Sequence, residues 1–103
     1  MIYTIEEIKE RIKPVAEKYN LPAVYLFGSY ARGEADEQSD IDLMIDRTGT
    51  AVHGLFKLGG VYNDFDISFE KEIDMITTDV LSDSKDKYFL KNLKKDMVNI
   101  YAR

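Results

Sequence analysis

Two carboxylates two residues apart, Asp40 and Asp42, follow the pair Gly28-Ser29 after a gap of ten residues. Asp40 begins a run that reads as a strand through Asp46, and alternate side chains of a strand share a face, so both carboxylates stand on the same side. Held together they repel unless a cation lies between them. Hard oxygen donors suit Mg²⁺, which takes one or two protein carboxylates and completes its shell with water and substrate phosphates. Gly28 comes directly after the apolar run Ala23-Val-Tyr-Leu-Phe27, at the point where a buried strand has to turn. Such a turn needs a residue without a Cβ. Ser29 then reads as the cap of a short helix through Arg32 that stops at Gly33, and the free backbone N–H groups at its start suit a phosphate. Either half alone is an ordinary glycine turn or acidic loop. Together, at this spacing, they describe a site for a nucleoside triphosphate.

The stretches Leu26-Phe-Gly-Ser-Tyr-Ala-Arg-Gly-Glu-Ala35 and Ser39-Asp-Ile-Asp-Leu-Met-Ile45 resemble the nucleotidyltransferases of the DNA polymerase beta type in their shortest form, the minimal nucleotidyltransferases. They match that family's pattern of Gly-Ser, ten residues and Asp-x-Asp without a departure, and the resemblance covers almost the whole chain. It implies an α/β (α+β) fold, a small mixed sheet of about four strands with helices packed on it. Gly28 and Ser29 would hold the triphosphate, Arg32 would add positive charge there, and Asp40 and Asp42 would bind the catalytic metals, Mg²⁺ in about two copies. ATP is the implied substrate and pyrophosphate the leaving group. The resemblance extends to the antitoxin half of paired modules whose partner is an all-helical HEPN ribonuclease toxin, and implies transfer of AMP to a tyrosine of that toxin. Two rivals stand beside it: a module that neutralises its partner by contact alone, and transfer to a small molecule. A pure scaffold has no physical need for three acids, and no acceptor domain is present for a small molecule.

The third acid is a choice between two readings of one segment. Tyr62-Asn-Asp-Phe-Asp-Ile-Ser-Phe69 alternates like a strand and offers Asp64 and Asp66. However, Leu55, Leu58, Tyr62, Phe65 and Phe69 recur at helical spacing, and a helix from Gly54 to Glu70 gathers all of them on one stripe. We take the helix, although Gly59-Gly60 weakens it by about 1 kcal/mol per glycine relative to alanine. The following strand is then Glu72 to Thr77. Asp74 there has apolar neighbours and must face a polar cleft or a cation. In the resembled family a Leu-Phe start, a helix and a short strand carry the third acid, and Gly54-Leu-Phe56 and Ile73-Asp-Met-Ile76 occupy those places. Asp74 is therefore the expected third metal acid and the candidate general base, with Asp66 as the alternative. Asp46 is read as a surface acid.

The remaining elements serve to position this site. Thr4-Ile-Glu-Glu7 is a capping box that opens a helix to about Asn20, kinked or restarted at Pro14. Ile5, Ile8, Ile12, Val15, Ala16 and Tyr19 form its buried stripe. A helix from Asp83 to Lys95 and a last strand, Met97 to Tyr101, complete the chain. Lys87, Lys91, Lys94 and Lys95 share one face of that helix and read as solvated. The lone His53 reads as a surface or cap residue. With 103 residues the chain is a single domain, residues 1–103, and the acceptor is expected to come from a partner, in a homo- or hetero-oligomer. A net charge of −5 suits the phosphate backbone of a long nucleic acid poorly. No cysteine is present, so thiolate metal sites and cysteine nucleophiles are excluded. No apolar run could span a membrane, and the start lacks the pattern of a signal peptide, which points to the cytoplasm.

Overall fold

The computed structural model describes residues 2–103. Helix α1 (Ile5–Lys18) opens with the capping box: the Thr4 side chain accepts from the Glu7 N–H at 3.1 Å, and Glu7 Oε1 accepts from the Thr4 N–H at 2.8 Å. It runs through Pro14 as one helix and buries Ile8, Ile12, Val15 and Ala16. Asn20, at φ 55°, ends it in the left-handed region that asparagine tolerates, and the Leu21 N–H returns to the Ala16 carbonyl at 2.9 Å.

Four strands follow, β1 (Ala23–Phe27), β2 (Ile41–Asp46), β3 (Ile73–Thr77) and β4 (Val98–Ala102), in the spatial order β3-β2-β1-β4. β1 is antiparallel to β2 and β4, whereas β2 and β3 are parallel and need the crossover that α3 (Gly54–Ile67) supplies. The pleat sorts the strands into two faces. Ile41, Leu43 and Ile45 of β2 and Val24 and Leu26 of β1 are sealed in one core with Ile8 and Ile12 of α1 and Val61 and Phe65 of α3. Asp42, Met44 and Asp46 point the other way, and the parallel register sets Asp42 directly beside Asp74 of β3.

The second half of the chain corrects three expectations. Helix α3 stops at Ile67, so Phe69 lies beyond its end, edge-on to Tyr3 with ring centroids 5.3 Å apart. The stripe predicted along α3 is not buried throughout: Leu55 is 88% exposed and Tyr62 40%. β3 is the edge of the sheet, so no further strand lies under this side of the helix. Finally, the expected single helix from Asp83 is two: α4 (Val80–Asp83) and α5 (Lys87–Asp96), the second capped by Asp86, whose side chain accepts from the Phe89 N–H at 3.0 Å. A good N-cap inside the segment restarts the helix there. Lys87, Lys91, Lys94 and Lys95 are all exposed, as is His53. Among the described residues no helix is long and apolar enough to cross a membrane.

Candidate active site

Gly28 is the pivot between β1 and the short helix α2 (Gly28–Arg32). Its φ is +74°, and a Cβ built on it would lie 2.1 Å from Asp42 Oδ2. Backbone conformation and close approach therefore both demand glycine. The capping role expected of Ser29 is not seen. Phe27, extended at φ −138°, is the cap residue, no side chain caps the helix, and Ser29 sits half-buried in the first turn. The reason is that the helix begins at Gly28, one residue earlier than read. It ends at Gly33, as expected, with φ 73° and the Glu34 N–H bonded to the Ser29 carbonyl at 2.9 Å.

Asp42 is half-buried at the mouth of this turn, and its carboxyl is pushed up to about 6. Burial is the largest cause, followed by the charge of Asp74, a hydrogen bond with Asp74 and the charge of Asp40; the charge of Arg32 acts the other way. Asp40 and Asp74 are both exposed. β2 begins at Ile41, so Asp40 is placed by the preceding loop rather than by the strand. Lys71 Nζ ties that loop down, donating to the carbonyls of Asp36 at 3.2 Å and Glu37 at 3.0 Å. The structure thus gathers Gly28, Asp40, Asp42 and Asp74 in one place. Among the described residues no three acids or histidines already stand at the spacing of a metal cluster.

Arg32 is near this group, but its guanidinium is engaged. Nε donates to Glu34 Oε1 at 2.6 Å and Nη1 to Asp96 Oδ2 at 3.0 Å, which ties α2 to the end of α5. Between the two helices lies a cavity of about 130 Å³ lined by Phe27, Gly28, Arg32, Phe89, Asn92 and Asp96, with Leu93 behind them. The α5 residues of this cavity were not legible as site residues. Their only sequence signal was Asp86, whose cap sets where α5 starts and so which of its residues face α2.

Residues 10–103 match the family described as Polymerase beta, Nucleotidyltransferase. The chain belongs to this family. Among curated relatives of this nucleotidyltransferase, "Putative protein adenylyltransferase MJ0126" of Methanocaldococcus jannaschii is 35% identical over 101 residues, covering 94% of this chain and 98% of the relative. "Protein adenylyltransferase MntA" of Thermococcus cleftensis is 40% identical over 47 residues, 42% of this chain and 48% of the relative. The fold is also that of a solved toxin–antitoxin structure with AMP-PNP, at a TM-score of 0.68 and 17% identity, covering 92% of this chain and 73% of that one. A tri-AMPylated Shewanella oneidensis HEPN toxin in complex with its MNT antitoxin gives a TM-score of 0.65 at 14% identity, covering 97% of this chain and 74% of that one.

The other acids of this nucleotidyltransferase stand apart from the group. Asp64 accepts from Lys18 Nζ at 2.8 Å and Tyr19 Oη at 2.6 Å, and these bonds hold its carboxyl below the usual range. Asp66 lies on α3, not on a strand. Asp46 closes a turn, Oδ1 accepting from the Thr48 N–H at 2.9 Å.

Proposed function

We propose that this chain is a protein adenylyltransferase that moves AMP from ATP to a hydroxyl of a partner protein, a tyrosine of a HEPN-type toxin, and so acts as an antitoxin. The observation that carries the reading is Asp42, a half-buried acid set against Asp40 and Asp74 and against a glycine whose Cβ position it fills. The near full-length similarity to MJ0126 supports adenylyl transfer, and the toxin–antitoxin assemblies that share the fold support the partner class.

The donor set fits a hard divalent cation: three carboxylates, no nitrogen or sulfur ligand, and a central acid that resists ionising without a counter-charge. Mg²⁺, in about two copies held by Asp40, Asp42 and Asp74, would supply positive charge against the triphosphate when bound. The chain's own residues do the rest. Backbone N–H groups at the start of α2 and the Ser29 hydroxyl hold the outer phosphates. Arg32 trades Glu34 for phosphate oxygens as the nucleotide enters. Asp74, exposed beside Asp42, takes the proton from the acceptor hydroxyl. The hydroxyl oxygen bonds to the α-phosphorus in line, the bond from that phosphorus to the bridging oxygen breaks, and pyrophosphate leaves.

The test uses the chain co-purified with a HEPN partner, ATP labelled in the adenosine or α-phosphate, and Mg²⁺. The expected result is a mass gain on the partner of one or more adenylyl groups, lost when Asp42 is replaced by asparagine. A partner neutralised with no mass change, by wild type and Asp42→Asn alike, leaves contact inhibition as the function.

A further inference from the structure

The strand that carries Asp74 is the open edge of the sheet. Ile41 donates to the Glu72 carbonyl at 3.1 Å and Thr78 donates to the Ile45 carbonyl at 2.9 Å, which fixes the phase of the parallel ladder. In that phase Asp74 and Ile76 bond to β2, while the backbone groups of Ile73, Met75 and Thr77 point away from the sheet. The Ile73 carbonyl accepts from Tyr62 Oη at 3.3 Å from that side. Edges of this kind are usually blunted by charged side chains, proline or a bulge; Ile73-Asp-Met-Ile-Thr77 has no proline, lysine or bulge, and its one charge is Asp74, on the face of the acid group. Alongside the edge lies an apolar cleft of about 430 Å³, lined by Leu55, Leu58 and Tyr62 of α3, Met75 and Thr77 of β3, and Val80. It contains Leu55 and Tyr62, the residues of the α3 stripe that the core leaves exposed, beside Leu58, which packs partly against the core.

We propose that β3 and this cleft bind the acceptor as an added strand: an extended segment of the partner with a hydroxyl residue between two apolar ones. The inference rests on the transferase reading and names its substrate class. An antiparallel strand pairing with Met75 makes Asp74 and its opposite residue a non-hydrogen-bonded pair, whose side chains share a face with Cβ atoms about 4.5–5.5 Å apart. A tyrosine there stands beside Asp74, on the face that also carries Asp42. Its two neighbours turn to the other face, the side of Met75 and the cleft, where apolar side chains cover Leu58 and Tyr62. Their backbone groups bond to Ile73 and Met75, and the Ile73 carbonyl exchanges Tyr62 for the new strand. Exposed Glu70, Glu72 and Asp74 favour basic residues further out. A second copy of this chain fits the edge less well, because it brings its own Glu72 and Asp74 against the same acids.

The experiment uses the full chain and blocked peptides of the form Lys-Lys-Val-Tyr-Val-Lys-Lys. Amide exchange of Met75 and Thr77 is followed by NMR, and AMP transfer by mass in ATP and Mg²⁺. Slowed exchange at Met75 and Thr77 is expected with this peptide. Binding should fall about tenfold or more when both valines are N-methylated, since each loses a bond to the edge, and stay near the parent when only the tyrosine is. Glutamine in place of both valines, or Leu55→Asp in the protein, should also weaken peptide binding while ATP binding is unchanged. The proposal is overturned if the two amides are unaffected by peptide, if valine and glutamine peptides bind alike, or if protection tracks protein concentration, which would make the edge a contact between copies. Protection without AMP transfer, to the peptide or to the co-purified partner, leaves strand addition standing and removes the transferase reading; transfer without protection does the opposite.

Discussion

The two faces of β2 obey opposite rules. Ile41, Leu43 and Ile45 meet only apolar neighbours in the core, and each is fully buried. One residue over, Asp42 is held partly out of water against two other acids, with its carboxyl raised to about 6. The first face stabilises the fold, and the second spends some of that stability on a cluster of acids that the charge of Arg32 offsets only in part. Substitutions on the two faces should therefore differ in sign as well as size. Leu43→Ala removes buried volume under α1 and α3 and should cost about 2–5 kcal/mol in urea unfolding. A loss under about 1 kcal/mol would mean that this face is not the core.

Gly28→Ala is the next largest change and acts on the site face. The left-handed backbone costs a non-glycine residue roughly 1–2 kcal/mol. The new Cβ also collides with Asp42 Oδ2, and because that atom ends a side chain, the carboxylate can turn away. Stability should fall modestly and AMP transfer should be lost. Gly33→Ala is the matched control: φ is +73°, yet nothing lies within 4 Å of its Cβ position. It should show a similar fall in stability and keep transfer. Equal transfer by the two variants would separate Gly28 from the acids.

How far the sequence carries is seen by setting α1 against α3. Both are 14-residue helices with an apolar period, and both were readable as helices from that period. α1 announces its start by Thr4 and Glu7 and buries Ile8, Ile12, Val15 and Ala16 of the stripe predicted for it, with Ile5 and the cap residue Tyr19 partly buried at its ends. α3 has no side-chain cap, and part of its stripe borders an open cleft. Periodicity tells which residues share a face, not what covers that face; that depends on strand order, and β3 at the edge is a tertiary fact. The strand period placed Asp42 and, through the parallel register, Asp74 on one face, whereas Asp40 lies just before β2 and is positioned by the loop, which the period does not describe. Arg32 reads from the sequence as added positive charge; its bond to Glu34 is local, but the one to Asp96, 64 residues away, depends on where α5 docks. The cap at Asp86 was missed because Asp83, three residues earlier, offered an equal local signal.

Asp42→Asn should raise stability. A carboxyl whose folded value lies above its ordinary 3.8 favours the protonated protein, so its stabilising contribution is complete below pH 3.8 and lost as pH rises through about 6. The group is only partly buried, so after discounting for solvent screening the ionised acid costs about 1–2 kcal/mol. At pH 7.5 without divalent cations the variant should melt several degrees above wild type, and near pH 3.5 the two should coincide. Adding Mg²⁺ should raise the wild-type midpoint and leave the variant nearly unmoved. A variant less stable than wild type at pH 7.5 without metal would contradict the repulsion that defines this face.

The smallest expected effect is that of Asp66→Asn, and its worth lies in comparison with Asp74→Asn. Read as a strand, Tyr62 to Phe69 would put Asp64 and Asp66 on one face, and Asp66 could complete the acid set. As a helix it separates them by about 200° around the axis. Asp64 is taken by Lys18 and Tyr19, while Asp66 stays on α3, away from the strand that pairs with β2. Asp66→Asn should therefore leave stability within about 0.5 kcal/mol and transfer near wild type. Asp74→Asn removes a charge that raises Asp42, so Asp42 should titrate closer to the ordinary carboxylate range, visible as a downfield-shift midpoint below pH 6 in ¹³C-labelled protein. Transfer should be lost because the proton acceptor is gone. ATP binding should largely persist, because Asp40 and Asp42 remain beside Gly28. Transfer that survives Asp74→Asn but not Asp66→Asn would mean that the acid beside Asp42 in the parallel register is not the one that works with it.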